Sequence, residues 1–382
     1  MLSSGNSNTH GVPASVISAK IDRQNWTYSL YHPMLLISPS SFSNLSNLAK
    51  EHGISDHLES LYSDICTYMG IDHIAVNAPI KDTITPVQDY PQIPATTSDF
   101  KVLSIAKPNI LRSPVGMMPL YGDFGPSLPW THAPSSCDLI SAFWCSAYQN
   151  GIAQVWAPRY TMFSRGNISE KARVLQLDSL RSERLGIAPQ CTSAVDLYAG
   201  IGYFAFSYAK AGVGKVLCWE INPWSVEGLK RGAIANGWRG NVLQGEEDYA
   251  QLFEGDSHFL IFQESNNHAA VRIDSIRDKI PSIKHVNCGY LPSSIDSWEI
   301  AAKILDSSGG WIHAHENIAK TRIEMRTTEI VEIFSQLAAK RQDRVRQRHW
   351  AVKCEHVERV KSYAPGVIHC VFDIAIFPPG HI

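Results

Sequence analysis

The stretch Asp196–Phe206, DLYAGIGYFAF, followed by KVLCWE ending at Glu220, constrains this chain more than any other part of it. An apolar run leads into a glycine turn, then a segment of helical composition from Ala205 to Ala211, then a second apolar run closed by a carboxylate. That order is strand, turn, helix, strand in a doubly wound sheet. Gly200 and Gly202 let the backbone turn sharply and come close to a ligand. Asp196 closes the first strand beside the turn. Glu220 closes the second, where a carboxylate accepts both hydroxyls of a ribose. The third glycine of a dinucleotide fingerprint is replaced by Phe204, which takes the room a pyrophosphate needs. S-adenosylmethionine (SAM) is therefore expected in preference to NAD. The alternative is a βαβ turn that holds no ligand.

The rhythm continues to the end of the chain. Strands are expected at AVDLY, KVLCWE, HFLIFQE, KHVNCGYL and GWIHAHE, separated by helical segments. In the last helix Ile330, Ile333, Phe334 and Leu337 form one apolar stripe. WAVKCEHVERV and GVIHCVFDIAIF have no helix between them and should pair antiparallel. The predicted fold class is α/β: a C-terminal doubly wound, Rossmann-like SAM-dependent transferase sheet with an antiparallel end, preceded by a smaller α+β region. NVLQGEEDYAQLF interrupts the rhythm and is read as an insertion. Residues 1–15 are read as a disordered leader, 16–180 as the N-terminal α+β region, and 181–382 as the SAM-binding catalytic domain. Within the second of these, SNLAKEHGISDHLESLYSDICTYMG is helical in pattern, HIAVNAPI reads as a buried strand, and residues 81–137 as irregular structure.

Composition narrows the class. The chain has 382 residues, 44% hydrophobic and 18% charged, which supports a sizeable core. None of its eight cysteines forms a CxxC pair, which argues against a zinc site or a redox dithiol. Scattered thiols, and a polar start without the pattern of a signal or transit peptide, point to the cytoplasm. No apolar run is long enough for a membrane span. With a net charge of −2, a nucleic-acid footprint has to be local.

Several other constellations bear on chemistry. Glu264, Ser265 and Asn266 follow the third strand, where an adenosine would be met; Glu246 and Glu247 are rivals. NCGYLPSS ends the fourth strand at the edge that faces the acceptor, with Asn287 and Pro292 too far apart for an Asn-Pro-Pro motif. His313 and His315 share one strand face but find no third ligand, so no metal is expected. PRYTMFSRGNISEKAR sets Arg159, Arg165, Lys171 and Arg173 beside Tyr160 and Phe163, a pattern suited to phosphates and a stacked base. Ser164 and Lys171, two helical turns apart, are placed to reach a SAM carboxylate. Lys340, Arg341, Arg344, Arg346 and Arg348 read as a solvated helix end.

QNGIAQVWAPRYTMFSRGNISEKAR, VDLYAGIGYFAF, CWEINPWSVEGLKRGAIANGW, VNCGYLPSS, GGWIHAHENI and VERVKSYAPGVIHCVFD together resemble the tRNA wybutosine-synthesising aminocarboxypropyltransferases, in their fungal form, across roughly residues 145–382. GYLPSS stands where the related tRNA guanosine N1-methyltransferases carry an Asn-Leu-Pro or Asn-Pro-Pro motif. The resemblance implies transfer of the 3-amino-3-carboxypropyl group of SAM to C7 of the tricyclic wybutosine precursor base (imG-14 type) at position 37 of phenylalanine tRNA. 5′-Methylthioadenosine leaves. It implies SAM contacts from Ser164, Lys171, Glu220, Glu264 and Ser265, and tRNA docking, beside the anticodon, without an obligate protein partner. The alternatives are guanosine-37 N1-methylation and a non-catalytic tRNA-binding scaffold.

Overall fold

The computed structural model describes residues 26–51, 57–78, 80–84, 106–129, 132–244, 257–341 and 350–378. The leader, Glu246, Glu247, Arg344, Arg346 and Arg348 lie outside the described residues. The described chain divides into two compact units. One takes the residues up to Ala147 with Ala157–Met162, the other Tyr148–Trp156 with the residues from Phe163 onward.

The first unit is built on a four-stranded sheet, β1 (Tyr28–Tyr31), β2 (Met34–Ile37), β3 (His73–Val76) and β4 (Met118–Tyr121), in that spatial order. The β2–β3 pair is parallel and the outer pairs are antiparallel. Helices α1 (Pro39–Glu51) and α2 (Leu58–Met69) supply Leu45, Leu61, Tyr62 and Ile65, which pack with Leu35, Ile37, Ile74 and Val76. Of HIAVNAPI, His73–Val76 forms the strand between two others, buried from Ile74 to Val76.

The second unit begins with β5 (Ile152–Trp156) and α3 (Ile168–Val174). The main run follows: β6 (Thr192–Asp196), α4 (Ala205–Lys210), β7 (Lys215–Trp219), α5 (Pro223–Ala235), β8 (Gly240–Leu243), β9 (Phe259–Phe262), α6 (Ala269–Ile276), β10 (Ser282–Cys288), α7 (Trp298–Ile304), β11 (Gly310–Ala319), α8 (Ile323–Lys340), β12 (Ala351–Ala364) and β13 (Val367–Phe377). The eight strands from β6 onward form one sheet in the order β8-β9-β7-β6-β10-β11-β13-β12. Pairing is parallel from β8 to β11 and antiparallel from β11 through β13 to β12. The order reverses at β6, so the crevice beyond its carboxyl end is where such a sheet binds ligands.

Alternation of side chains divides the core into two layers. Val195, Leu217, Trp219, Leu260 and Phe262 face α6, α7 and α8, where Ile273, Trp298, Ile330 and Phe334 are buried. Ala194, Val216, Cys218, Phe259 and Ile261 face Val174, Phe206, Tyr208 and Leu229. One expectation needs correction. The segment read as an insertion begins as β8, an edge strand parallel to β9. The segment interrupts the strand–helix rhythm because Gly240–Leu243 pairs in parallel with Phe259–Phe262 as an added edge strand. Among the described residues no helix is long and apolar enough to cross a membrane.

Candidate functional site

The glycine turn is folded against Glu220. Gly200 and Gly202 have φ of 54° and 90°, a region that L side chains rarely adopt. A Cβ on Gly202 would lie 2.6 Å from the Phe206 ring, so its small size serves packing inside the turn. One carboxylate oxygen of Glu220 accepts from the Gly200 N–H at 2.8 Å, the other from the Asn222 N–H at 2.7 Å. Each oxygen keeps a further lone pair, enough for two hydroxyl donors. Burial pushes the Glu220 carboxyl up to about 7. Asn222 in turn caps α5, accepting from the Trp224 N–H at 3.0 Å.

Beside the turn, one face of the sheet carries a row of buried polar side chains. Asp196 Oδ1 accepts from the Tyr198 N–H at 3.2 Å and from Asn287 Nδ2 at 3.1 Å. Burial raises the Asp196 carboxyl to about 6. Asn287 Oδ1 meets His315 Nε2 at 3.2 Å, and His315 Nδ1 meets His369 Nε2 at 3.0 Å. Both ends of the Asn287 amide are thus engaged inside the protein, and Asn287 orients Asp196 and His315. Farther along the same face, Asp373 accepts from Arg173 at 2.6 and 3.1 Å and contacts His313 Nδ1 at 2.6 Å. His313 continues to His285 at 3.1 Å. Arg173 also holds both oxygens of the buried Glu170 at 2.8 Å. Arg173 is therefore a partly buried strut between two buried carboxylates, which corrects the reading of it as one of a phosphate-binding set. His313 and His315 are core histidines, with burial holding His315 well below its ordinary value.

Lys171 stands on α3 with its ammonium inside the protein. Nζ donates to Gln149 Oε1 at 2.9 Å and to Gln154 Oε1 at 2.6 Å. It lies 4.7 Å from the centre of the Phe163 ring and 5.2 Å from that of Tyr203, a residue of the glycine turn. No carboxylate pairs with it among these contacts. Burial first, then the nearby Lys361 charge, draws its pKa down to about 7. Ser164 precedes the short 3-10 turn Arg165–Asn167 that leads into α3. Gln149 and Gln154 were missed in the sequence, where two glutamines flanking a β-turn carry no signal of their own.

The remaining residues sit as follows. Glu264 is at the end of β9, beside β7, the third-strand position expected for it. Its carboxylate is bound by Arg272 at 3.1 Å and Trp219 Nε1 at 3.3 Å. Ser265 accepts from the Asn267 N–H, and Asn266 donates to the Leu197 carbonyl at 2.9 Å. Pro292 is exposed, and its carbonyl accepts from the Asn317 N–H at 2.8 Å. Arg165 is exposed and Arg159 partly buried. Arg341 is half-buried and donates to the carbonyls of Leu305 and Asp306, so it ties down the helix end. Among the described residues no group of three or more His, Cys, Asp or Glu side chains is arranged to hold a metal.

No family model matches the chain. It is 39% identical over 350 residues to the tRNA wybutosine-synthesizing protein 2 of Schizosaccharomyces pombe, covering 91% of this chain and 72% of that one. The chain belongs to this family. The protein of the same name from Saccharomyces cerevisiae is 36% identical over 294 residues, 71% of this chain and 58% of that one. A solved structure of P. horikoshii TYW2 in complex with MeSAdo shares the fold, with a TM-score of 0.55 at 16% identity, covering 95% of this chain and 97% of that one. Pyrococcus abyssi Trm5b has a TM-score of 0.53 at 14% identity, covering 99% and 82%. The fold is that of the wybutosine-synthesizing proteins of type 2 and of their Trm5 relatives.

Proposed function

We propose that this protein transfers the 3-amino-3-carboxypropyl group of SAM to C7 of the tricyclic wybutosine precursor base at position 37 of phenylalanine tRNA. Family membership supports the reaction class and the tRNA substrate. The observation that carries the chemistry is Lys171, an ammonium buried within 5.2 Å of the Tyr203 ring in the glycine turn. A sulfonium has three electrophilic carbons, and positioning decides which one reacts. A methyltransferase presents the methyl. Here the methionine γ-carbon has to lie in line with the nucleophile, so a fixed anchor for the methionine carboxylate governs the outcome.

In this reading Glu220 holds the ribose, and Gly200 and Gly202 shape the turn beneath it. Asp196 sits against the methionine amine, and Ser164 and Lys171 bind the methionine carboxylate. Glu264 and Ser265 edge the adenosine, with Glu264 held in place by Arg272. Arg159 and Arg165 meet tRNA phosphates from the anticodon region. Pro292 borders the acceptor, and Asn287 acts through Asp196. Residues 16–180 serve mainly in tRNA docking. The electron-rich base attacks the γ-carbon, the carbon–sulfur bond breaks, and neutral methylthioadenosine leaves. Incubation with SAM and hypomodified phenylalanine tRNA, followed by mass spectrometry of nucleoside and by-product, tests this. The aminocarboxypropylated base with methylthioadenosine is expected. A methylated guanosine with S-adenosylhomocysteine, or neither product, overturns it.

A further inference from the structure

On the Asp196 face of the sheet, three unpartnered polar atoms gather at the upper end. Asn317 on β11 lies directly opposite His369 on β13, and His369 directly opposite Lys361 on β12. Directly opposed residues of antiparallel strands share a face. The three form a row that crosses the sheet beyond the level of Cys288, the last residue of β10, which pairs with Ala314. That is past the carboxyl ends of the parallel strands, where open α/β sheets take their ligands. Among the described residues, Nδ2 and Oδ1 of Asn317 are buried without a hydrogen-bond partner, and so is Nδ1 of His369, a residue only 1% exposed. Buried polar atoms are nearly always paired, so three together need a reason.

The hydrogen-bond chain fixes the histidine tautomer. Asn287 donates from Nδ2 to the Asp196 carboxylate, so its Oδ1 accepts from His315 Nε2–H. His315 Nδ1 then accepts from His369 Nε2–H. The lone pair of His369 is left on Nδ1, the unpartnered atom. The row is closed on the α3 side by the turn Arg165–Asn167, since a Cβ on Gly166 would lie 2.8 Å from Lys361 Nζ. The Lys361 charge also acts on Lys171, so the row borders the proposed carboxylate anchor.

We infer that Asn317 and His369 seat the acceptor base, with the Asn317 amide reading its polar edge and His369 Nδ1 receiving the proton that leaves C7. This rests on the function proposed above. The C7 electron pair forms the bond to the γ-carbon, and the carbon–sulfur pair returns to sulfur. The cationic adduct then gives its C7 proton to Nδ1, which restores the aromatic ring. A protonated adduct is a strong acid, so a neutral imidazole suffices as acceptor. The amide offers a donor and an acceptor side by side, which suits the carbonyl and ring nitrogen of a purine-derived heterocycle.

The full chain is compared with Asn317→Ala and His369→Gln in two assays: SAM titration by calorimetry, and transfer to hypomodified phenylalanine tRNA at saturating SAM. SAM affinity is expected to stay within about twofold in both variants. His369→Gln is expected to lower kcat by about a hundredfold, the usual scale of a lost proton acceptor, with KM for tRNA unchanged. Asn317→Ala is expected to lower kcat/KM by about tenfold, one unmade hydrogen bond. Because the Asn317 side chain has no hydrogen-bond partner among the described residues, that variant decides the matter if His369→Gln fails to fold. Wild-type rates in both variants mean that an ordered water only fills the row, and overturn the inference. Losses that follow SAM affinity in parallel overturn it as well, because they show a structural role. If the unaltered chain itself releases no methylthioadenosine, the function proposed above has failed; if it does and the variants match it, only the acceptor seat has failed.

Discussion

Burial shifts Glu220 and Lys171 in opposite directions toward the same pH, and that gives SAM binding in the proposed site a shape. Burial raises the Glu220 carboxyl to about 7, so the acceptor proposed for the ribose is lost by protonation below that pH. Burial lowers the Lys171 ammonium to about 7, so above that pH the free protein must take up a proton before it can pair with a carboxylate. SAM affinity is expected to peak near neutrality and fall by up to about tenfold per pH unit on the alkaline side. Methylthioadenosine has the ribose but no carboxylate, so its affinity is expected to fall only on the acid side. Lys171→Ala is expected to remove the alkaline limb for SAM and leave methylthioadenosine binding unchanged; calorimetry across pH 6–8.5 with both ligands checks it, and equal losses for the two ligands would show Lys171 to be structural. Glu220→Ala removes charge-assisted hydrogen bonds worth roughly 1.5–3 kcal/mol, so SAM affinity is expected to drop by about tenfold or more. Unchanged affinity in a folded variant would take the ribose away from Glu220.

At the level of elements, the polar struts do as much as the apolar layers to place the site. Arg173 on α3 binds Glu170 beside it and Asp373 on β13, 200 residues away. Arg173→Ala strands two buried carboxylates. A loss of about 3–5 kcal/mol in unfolding free energy is expected, measured by urea denaturation. An unchanged midpoint would show that water reaches both carboxylates. This strut also marks a limit of sequence reading. The strands, α8 with its stripe through Ile330 and Phe334, and the closing antiparallel pair are legible because their periodicity is local. Gly200, Gly202, Phe204 and Glu220 are legible because one turn brings them together. Arg173 looks like any basic residue in a cationic, aromatic stretch; only its distant partner on β13 makes it structural. For the same reason Asn317, His369 and the two glutamines at Lys171 carry no local signal. β8 falls outside the strand–helix rhythm, and only its pairing with β9 reveals it as a strand.

At the scale of the whole molecule the partner is a polyanion, yet the chain has a net charge of −2. Binding therefore has to rest on a few placed cations. The exposed Arg165 and the partly buried Arg159 fall in the stretch that joins the two units. Replacing each with alanine is expected to weaken tRNA binding and to reduce the slope of log affinity against log salt by about 0.7–0.9 for each phosphate no longer neutralised. A double variant with the wild-type slope would place the phosphates elsewhere. The same unit structure bears on how the site comes into being. Lys171, Glu170 and Arg173 are made before any strand of the large sheet, whereas Asp373 and His369 belong to the last strand, β13. A chain emerging from the ribosome thus carries α3 before Asp373, the partner of Arg173 on β13, has been made. The strut from Arg173 to Asp373 is completed only when β13 takes its place between β11 and β12. A polypeptide released before β13 therefore lacks Asp373, which holds Arg173 from across the sheet, and His369 with it.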